Sequence, residues 1–256
     1  MQLHSLSYGQ GEPLVILHGL FGSADNWQTV GKRLAADFHV HALDLRNHGH
    51  SPHAPDMDYP LMAADVAEFL DSRNLPSASL LGHSLGGKVA MQFALSSPNR
   101  VSQLVIVDVA PRAYPPWHRQ ILAALQALDL PTLRDRQQAD SALAGDIPDR
   151  SLRQFLLKSL ARAETGAFRW RFNLEALATH YQQLNGALPA AGKFDGPVLF
   201  VRGQNSVYLS ENDWPAIREK FPAARQEIIA GAGHWVHAEA PETFVAVVLK
   251  YLKENS

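Results

Sequence analysis

The chain has 256 residues, with Lys+Arg 23 against Asp+Glu 25 and no cysteine. A net charge of −2 excludes the broad cationic footprint of a nucleic-acid binder, and the missing cysteines exclude disulfide frameworks, thiolate nucleophiles and cysteine-ligated zinc or iron–sulfur clusters. Hydrophobic residues at 46% and charged residues at 19%, with ordinary Gly and Pro, exclude a disordered or collagen-like chain and leave ample apolar material for a core.

Met1 to Gly11 is polar, without the charged start and apolar stretch of a secretory signal, and no apolar run approaches the ~18 residues that span a bilayer. A cytoplasmic protein with no membrane insertion is therefore expected. In chain order, strands are predicted at Leu14–Leu17, His39–Leu43, Ser79–Leu81, Leu104–Val107, Val198–Val201 and Glu227–Ile229. Most are continuous apolar runs, as strands covered on both faces require. Apolar residues at three- and four-residue spacing predict helices at Ala24–Ala36, Pro60–Arg73, Leu85–Ser97, Glu211–Phe221 and Pro241–Leu252. Strands alternating with helices predict an α/β fold with a mainly parallel twisted sheet flanked by helices. The alternation breaks between Pro111 and Pro197, where helical runs such as Ile121–Leu130 and Leu152–Ala163 occur without a clear buried strand. A core of residues 1–111 and 191–256 with a helical cap inserted at 112–190 is expected, because a structureless loop that long is improbable in a compact domain.

Gly82-His83-Ser84-Leu85-Gly86 directly follows the apolar Leu80-Leu81 and directly precedes a helical run through Val89, Ala90 and Phe93. A glycine–x–serine–x–glycine turn between strand and helix holds the serine in a strained conformation that lifts its hydroxyl above the sheet. The helix behind it aims unpaired amides and a partial positive charge at the same place, where an anion would be stabilised. Ser84 is the expected nucleophile; the competing reading is a serine cap on an ordinary helix.

With His18-Gly19 after the first core strand, Asp44-x-Arg46-x-x-Gly49-x-Ser51 after the next, the turn at Ser84, and Gly231-x-Gly233-His234 near the end, the sequence resembles the α/β-hydrolase superfamily over nearly its whole length. Val107-Asp108-Val109-Ala110-Pro111 and Gly203-Gln204-Asn205-Ser206-Val207-Tyr208 make it similar to the YbfF-type esterase subgroup. A serine hydroxyl needs a base to act at neutral pH, and the superfamily supplies a histidine from far downstream. Among the 12 histidines, His234 fits best; His83 lies inside the turn and His237 begins the run into the last helix. In most relatives the acid follows the strand corresponding to Val198–Val201, but here Ser206 stands at that position and a hydroxyl carries no charge. The resemblance implies that Asp108, at the end of the neighbouring strand, is the acid, with Ser206 a possible helper that hydrogen-bonds Asp108 or His234. Asp108 as a cap of the loop opening the insertion is the alternative.

The oxyanion formed on acyl transfer needs two preorganised N–H donors. Leu85 after the nucleophile and Leu20 in His18-Gly19-Leu20-Phe21-Gly22 are the expected pair, with Phe21 the fallback for the second. The side chains of Leu20 and Phe21, and Trp235 beside the base, are further candidates for contact with substrate. In Phe168-Arg169-Trp170-Arg171-Phe172 an extended segment would place the arginines on one side, either to clamp an anionic substrate or to make ion pairs between cap and core. Histidines at 39, 41, 48, 50 and 53 lack a carboxylate at ligand-like spacing, so no metal is expected, and Asp44 and Arg46 are expected to organise their own turn.

The expected activity is a serine hydrolase cleaving small to medium acyl esters or thioesters, acyl-coenzyme A among them, through an acyl-enzyme and without cofactor. Its partner is a small-molecule substrate; oligomeric state is not legible. Haloalkane dehalogenases and epoxide hydrolases resemble it in fold but need a carboxylate where Ser84 stands. Carbon–carbon bond hydrolases, iminopeptidases and perhydrolases remain as alternatives, as does a non-catalytic relative that binds a ligand through the cap.

Overall fold

Runs such as Leu14–Leu17 and Leu104–Val107 carry no polar alternation, so a strand built from them needs cover on both faces. The computed structural model, which describes residues 1–255, meets that demand with a seven-stranded sheet between two helical layers. Its first half runs β1 (Ser5–Tyr8), β2 (Pro13–Leu17), α1 (Gln28–Leu34), β3 (His39–Leu43), α2 (Tyr59–Ser72), β4 (Ala78–His83), α3 (Leu85–Ser96) and β5 (Val101–Val107). There follow α4 (Arg119–Ala127), α5 (Arg136–Leu143), α6 (Arg150–Leu157), β6 (Leu160–Arg162), β7 (Phe168–Trp170), α7 (Leu174–Thr179) and α8 (Tyr181–Asn185). The chain returns to the sheet with β8 (Val198–Gly203), α9 (Trp214–Lys220), β9 (Ala224–Ile229), α10 (Val236–Glu239) and α11 (Pro241–Glu254).

The sheet order is β1-β3-β2-β4-β5-β8-β9, parallel throughout except for β1 on β3. Strand alternation sends Val15, Leu17, Leu80, Leu104 and Ile106 into the layer with α2, α3 and α9, and Leu14, Ile16, Leu81, Val105 and Val107 into the layer with α1 and α11. All the parallel strands end on one edge, where ligands of open α/β sheets bind.

The structure departs from the sequence expectations at several places, the expected helix at Glu211–Phe221 among them, which divides into a 3₁₀ turn over Glu211–Asp213 and then α9. The polar start contains β1, an edge strand whose Ser5, Leu6 and Tyr8 are only half-buried and so give no apolar run. The expected helix at Ala24–Ala36 divides into a 3₁₀ turn over Ala24–Trp27 and then α1. The insertion is not purely helical: the run expected to be helix through Ala163 stops at Leu157, and Leu160–Arg162 pairs antiparallel with Phe168–Trp170. Strands of three residues are too short to show a period, which is why helical spacing won in the sequence.

The insertion packs its apolar residues, Leu122, Leu125, Leu156 and Trp170 among them, into the same core as α2 and α3. Its two ends lie side by side, with Leu188 N–H donating to the Pro111 carbonyl at 3.0 Å and Tyr114 N–H to that of Asn185 at 2.9 Å. Arg46, expected to serve its own turn, reaches further: its guanidinium grips Asp65 of α2 at 2.6 and 2.9 Å, both residues buried. Asp44 does organise the turn, accepting the N–H of Ala24 at 2.7 Å and of His50 at 2.9 Å. Among the described residues no helix is long and apolar enough to cross a membrane.

Candidate active site

Ser84 sits between β4 and α3 with φ 52° and ψ −115°, outside the regions an ordinary serine prefers. Its backbone is pinned on both sides: its N–H donates to the Val107 carbonyl at 3.1 Å, and its carbonyl accepts the Lys88 N–H at 3.1 Å. The turn is so tight that a Cβ on Gly82 would lie 2.3 Å from the Gly86 carbonyl oxygen. The side chain, half-buried, borders the cleft at the carboxyl edge of the sheet.

Asp108 follows β5, is fully buried and has φ 52°. One carboxylate oxygen accepts Gly203 N–H at 3.2 Å; the other accepts the Ser206 hydroxyl and the ring N–H of His234, the latter at 2.7 Å from Nδ1. These donors lie at the end of β8 and in the loops after β8 and β9, not in the loop that opens the insertion, so among the described residues the alternative in which Asp108 caps that loop has no hydrogen bond to carry it. With Asp108 ionised, the 2.7 Å contact assigns the proton to Nδ1 and leaves Nε2 to accept one. Tyr208 lies against the imidazole face, ring centres 3.8 Å apart and planes 19° apart, so the ring is fixed both in plane and in tilt. Burial pushes His234 below the ordinary imidazole range, and it pushes Asp108 upward against the opposing pull of the Ser206 and Gly203 hydrogen bonds. Ser84 and His234 line one cleft.

The segment His18–Gly22 closes the other side of this cleft. Two buried histidines tie it to the loop after β3. His18 Nε2 accepts Leu45 N–H at 3.0 Å while Nδ1 contacts the Gly19 carbonyl at 2.8 Å, and His48 Nε2 accepts Phe21 N–H at 3.3 Å. Burial holds both rings below the usual imidazole range, in the neutral form these acceptor roles need. Phe21, at φ 63°, is thereby excluded as the fallback oxyanion donor, since its N–H is engaged by His48. Its side chain is core rather than cleft wall, 2% exposed and 5.3 Å from the ring of Phe172. The N–H groups of Leu20 and Leu85 make no bond to another group among the described residues.

Other candidates fall on either side of the cleft. Trp235 lines it together with Phe155 of α6. Arg169 is exposed on β7, and Arg171 pairs with Asp25 at 3.3 Å and borders an outer groove; neither lines the clefts at Ser84. The ion pair between insertion and core is thus the reading the geometry favours for Arg171. His83 is turned beneath His234, with Nε2 3.0 Å from the His234 carbonyl, and His237 stacks on Trp27 at 4.1 Å.

Several residues at the site were missed in the sequence. A second cleft meets Ser84 and is bordered by Lys88, Tyr59, Tyr114, His118, Tyr181 and Tyr208. Lys88 was detectable: it is a charged residue on an otherwise apolar helix, four positions after Ser84, and only 2% exposed. Burial, reinforced by Arg112, pushes its ammonium down to about 7. The tyrosines and His118 lie far apart in sequence or within the insertion, where spacing carries no signal.

The arrangement is that of a serine on a strained turn, an imidazole held by a buried carboxylate, and free amides opposite. A model of the α/β hydrolase fold family matches residues 12–241. The chain belongs to that family. It is 41% identical over 251 residues to a Xenopus laevis protein named sn-1-specific diacylglycerol lipase ABHD11, covering 95% of this chain and 80% of the relative. It is 39% identical over 245 residues to esterase YbfF of Escherichia coli strain K12, covering 94% and 93%. Among solved structures, a marine microorganism esterase superposes with a TM-score of 0.95 at 39% identity, covering 98% of this chain and 99% of that one. The enzyme class expected from the sequence, a carboxylic ester hydrolase, agrees with these relatives. Family membership alone leaves the acyl and leaving groups open.

Proposed function

We propose that the protein cleaves carboxylic esters of small to medium acyl groups through an acyl-enzyme on Ser84. His234 Nε2 takes the hydroxyl proton as Ser84 Oγ bonds to the carbonyl carbon. The N–H groups of Leu20 and Leu85 receive the resulting oxyanion, each worth about 3 kcal/mol in the transition state. As the bond to the leaving group breaks, His234 returns the proton to the departing oxygen, releasing an alcohol and leaving an ester on Ser84. Water then repeats the cycle, the carboxylic acid departs, and Ser84 recovers its proton. Asp108 keeps the Nδ1 proton in place and stabilises the imidazolium that forms in each half. Ser206 and Gly203 orient Asp108, and residues 112–190 act as a cap that decides which groups enter. No metal or organic cofactor takes part in this sequence. Thioesters, acyl-coenzyme A included, fit the same chemistry, and the diacylglycerol lipase relatives add acylglycerols as a substrate class to test.

The observation that carries this reading is the 2.7 Å bond from His234 to a fully buried Asp108, in a ring that shares a cleft with Ser84. The test is a panel of aryl esters of increasing chain length beside acyl-coenzyme A thioesters and diacylglycerol. Saturable hydrolysis of the short aryl esters that Ser84→Ala reduces to background is expected; equal turnover by Ser84→Ala would remove the proposal.

The pH dependence has a fixed sign. The base must be neutral, an ionised Asp108 favours the imidazolium, and burial disfavours it. Removing the carboxylate therefore lowers the pKa of His234, and the residual kcat/KM of Asp108→Asn is expected to hold to more acidic pH than that of the unaltered enzyme. A shift of the acid limb to higher pH contradicts the pairing.

A further inference from the structure

We propose that the cleft at Ser84 takes an acyl group that ends in a carboxylate, and that Lys88 is the residue that selects it. This rests on the acyl-enzyme reading above and names the acyl group that reading leaves open.

Lys88 is 2% exposed, a position at which lysine is rare without an anionic partner. Two of its three N–H groups are occupied, by the carbonyls of Arg112 at 2.8 Å and Gly186 at 2.5 Å. The faces of Tyr114 and Tyr59 lie 4.9 and 5.7 Å from Nζ. Carbonyl dipoles and rings soften the burial of a cation but do not neutralise it, and no Asp or Glu among the described residues lies within ion-pair distance. The neighbouring charge is another cation, Arg112, which is already paired with Asp213 at 2.6 Å. The third Lys88 N–H is therefore an unspent donor on a positively charged stretch of wall.

That wall belongs to the cleft that Ser84 borders. Ser84 is the residue before α3 and Lys88 lies in its first turn, and both border that cleft. Succinyl and glutaryl groups would carry a carboxylate from a carbonyl held at Ser84 toward Nζ. The other polar groups on this wall are committed to one another. Tyr59 O–H donates to the Leu184 carbonyl and Tyr114 O–H to that of Tyr208, while the hydroxyls of Tyr181 and Tyr208 both meet His118. A carboxylate arriving here accepts a charge-assisted hydrogen bond and supplies the missing counter-charge; a methyl terminus leaves the ammonium buried and unpaired.

The test compares monoethyl succinate and monoethyl glutarate with ethyl butyrate and ethyl pentanoate, followed by proton release so that no activated leaving group distorts the ranking. The unaltered enzyme is expected to favour the half-esters by at least about tenfold in kcat/KM. Lys88→Met is expected to lower that ratio by about tenfold or more, and Lys88→Arg to retain part of it. If Lys88→Met fails to fold, succinate and butyrate are compared as inhibitors of the unaltered enzyme, with stronger inhibition by succinate expected. Turnover of ethyl butyrate with no preference for the half-esters, an unchanged ratio in Lys88→Met, or equal inhibition overturns this proposal alone. Absence of all ester turnover together with no fluorophosphonate adduct on Ser84 overturns the hydrolase reading and this proposal with it.

Discussion

Asp108→Asn is expected to lower kcat/KM by about four orders of magnitude, and Ser206→Ala by about tenfold or less. The asymmetry follows from what each group gives the imidazole. Asp108 accepts the Nδ1 proton at 2.7 Å and carries the charge that offsets the imidazolium. An asparagine amide of the same shape turns a donor toward Nδ1, moves the ring proton to Nε2 and so removes the base where Ser84 needs it. Ser206 touches Asp108 rather than His234, and with its hydroxyl gone Asp108 keeps the Gly203 N–H and the His234 ring as partners. Steady-state kinetics on the two variants, with thermal melting to confirm that both fold, settle the ranking. A larger loss in Ser206→Ala than in Asp108→Asn overturns the assignment of the acid.

Gly86→Ala is expected to destabilise the protein by about 3 kcal/mol and to reduce kcat more than the loss of folded protein explains. A Cβ at this position lies 2.3 Å from the Leu17 carbonyl oxygen and 2.6 Å from that of His18, both backbone atoms with no side chain to move aside. Relief requires α3 to shift away from the end of β2. That shift separates the Leu85 N–H, carried by α3, from the Leu20 N–H, carried by the loop after β2, so the two amides no longer converge on one oxygen. Denaturant unfolding reports the stability term and single-turnover acylation the catalytic one. Unchanged stability, or a full restoration of kcat per folded molecule, contradicts this account of the turn.

The sequence made the sheet legible because buried parallel strands are continuous apolar runs, as at Leu14–Leu17 and Val198–Val201. It concealed β1, a short edge strand whose residues are mostly half-buried, and the β6–β7 hairpin, whose strands are too short to carry a period. Ser84 announced itself because glycines on both sides are a steric requirement of the turn. Asp108 needed more than spacing: the missing carboxylate at Ser206 and the resemblance to an esterase subgroup drew attention to it, and the three donors converging on its carboxylate come from residues nearly a hundred or more positions away. Phe21 illustrates the opposite failure. The glycines around it marked a bend, but which amide of the bend remained free depended on His48, a residue 27 positions away. Lys88 was visible as a charge on an apolar helix face, yet its meaning depended on what surrounds it in space.

Fluorophosphonate labelling under native conditions, followed by peptide mass spectrometry, tests the central claim most directly. A single adduct on Ser84 that forms in the unaltered protein and is lost in His234→Ala is the predicted result. No adduct at Ser84, or labelling as fast without His234 as with it, contradicts the account.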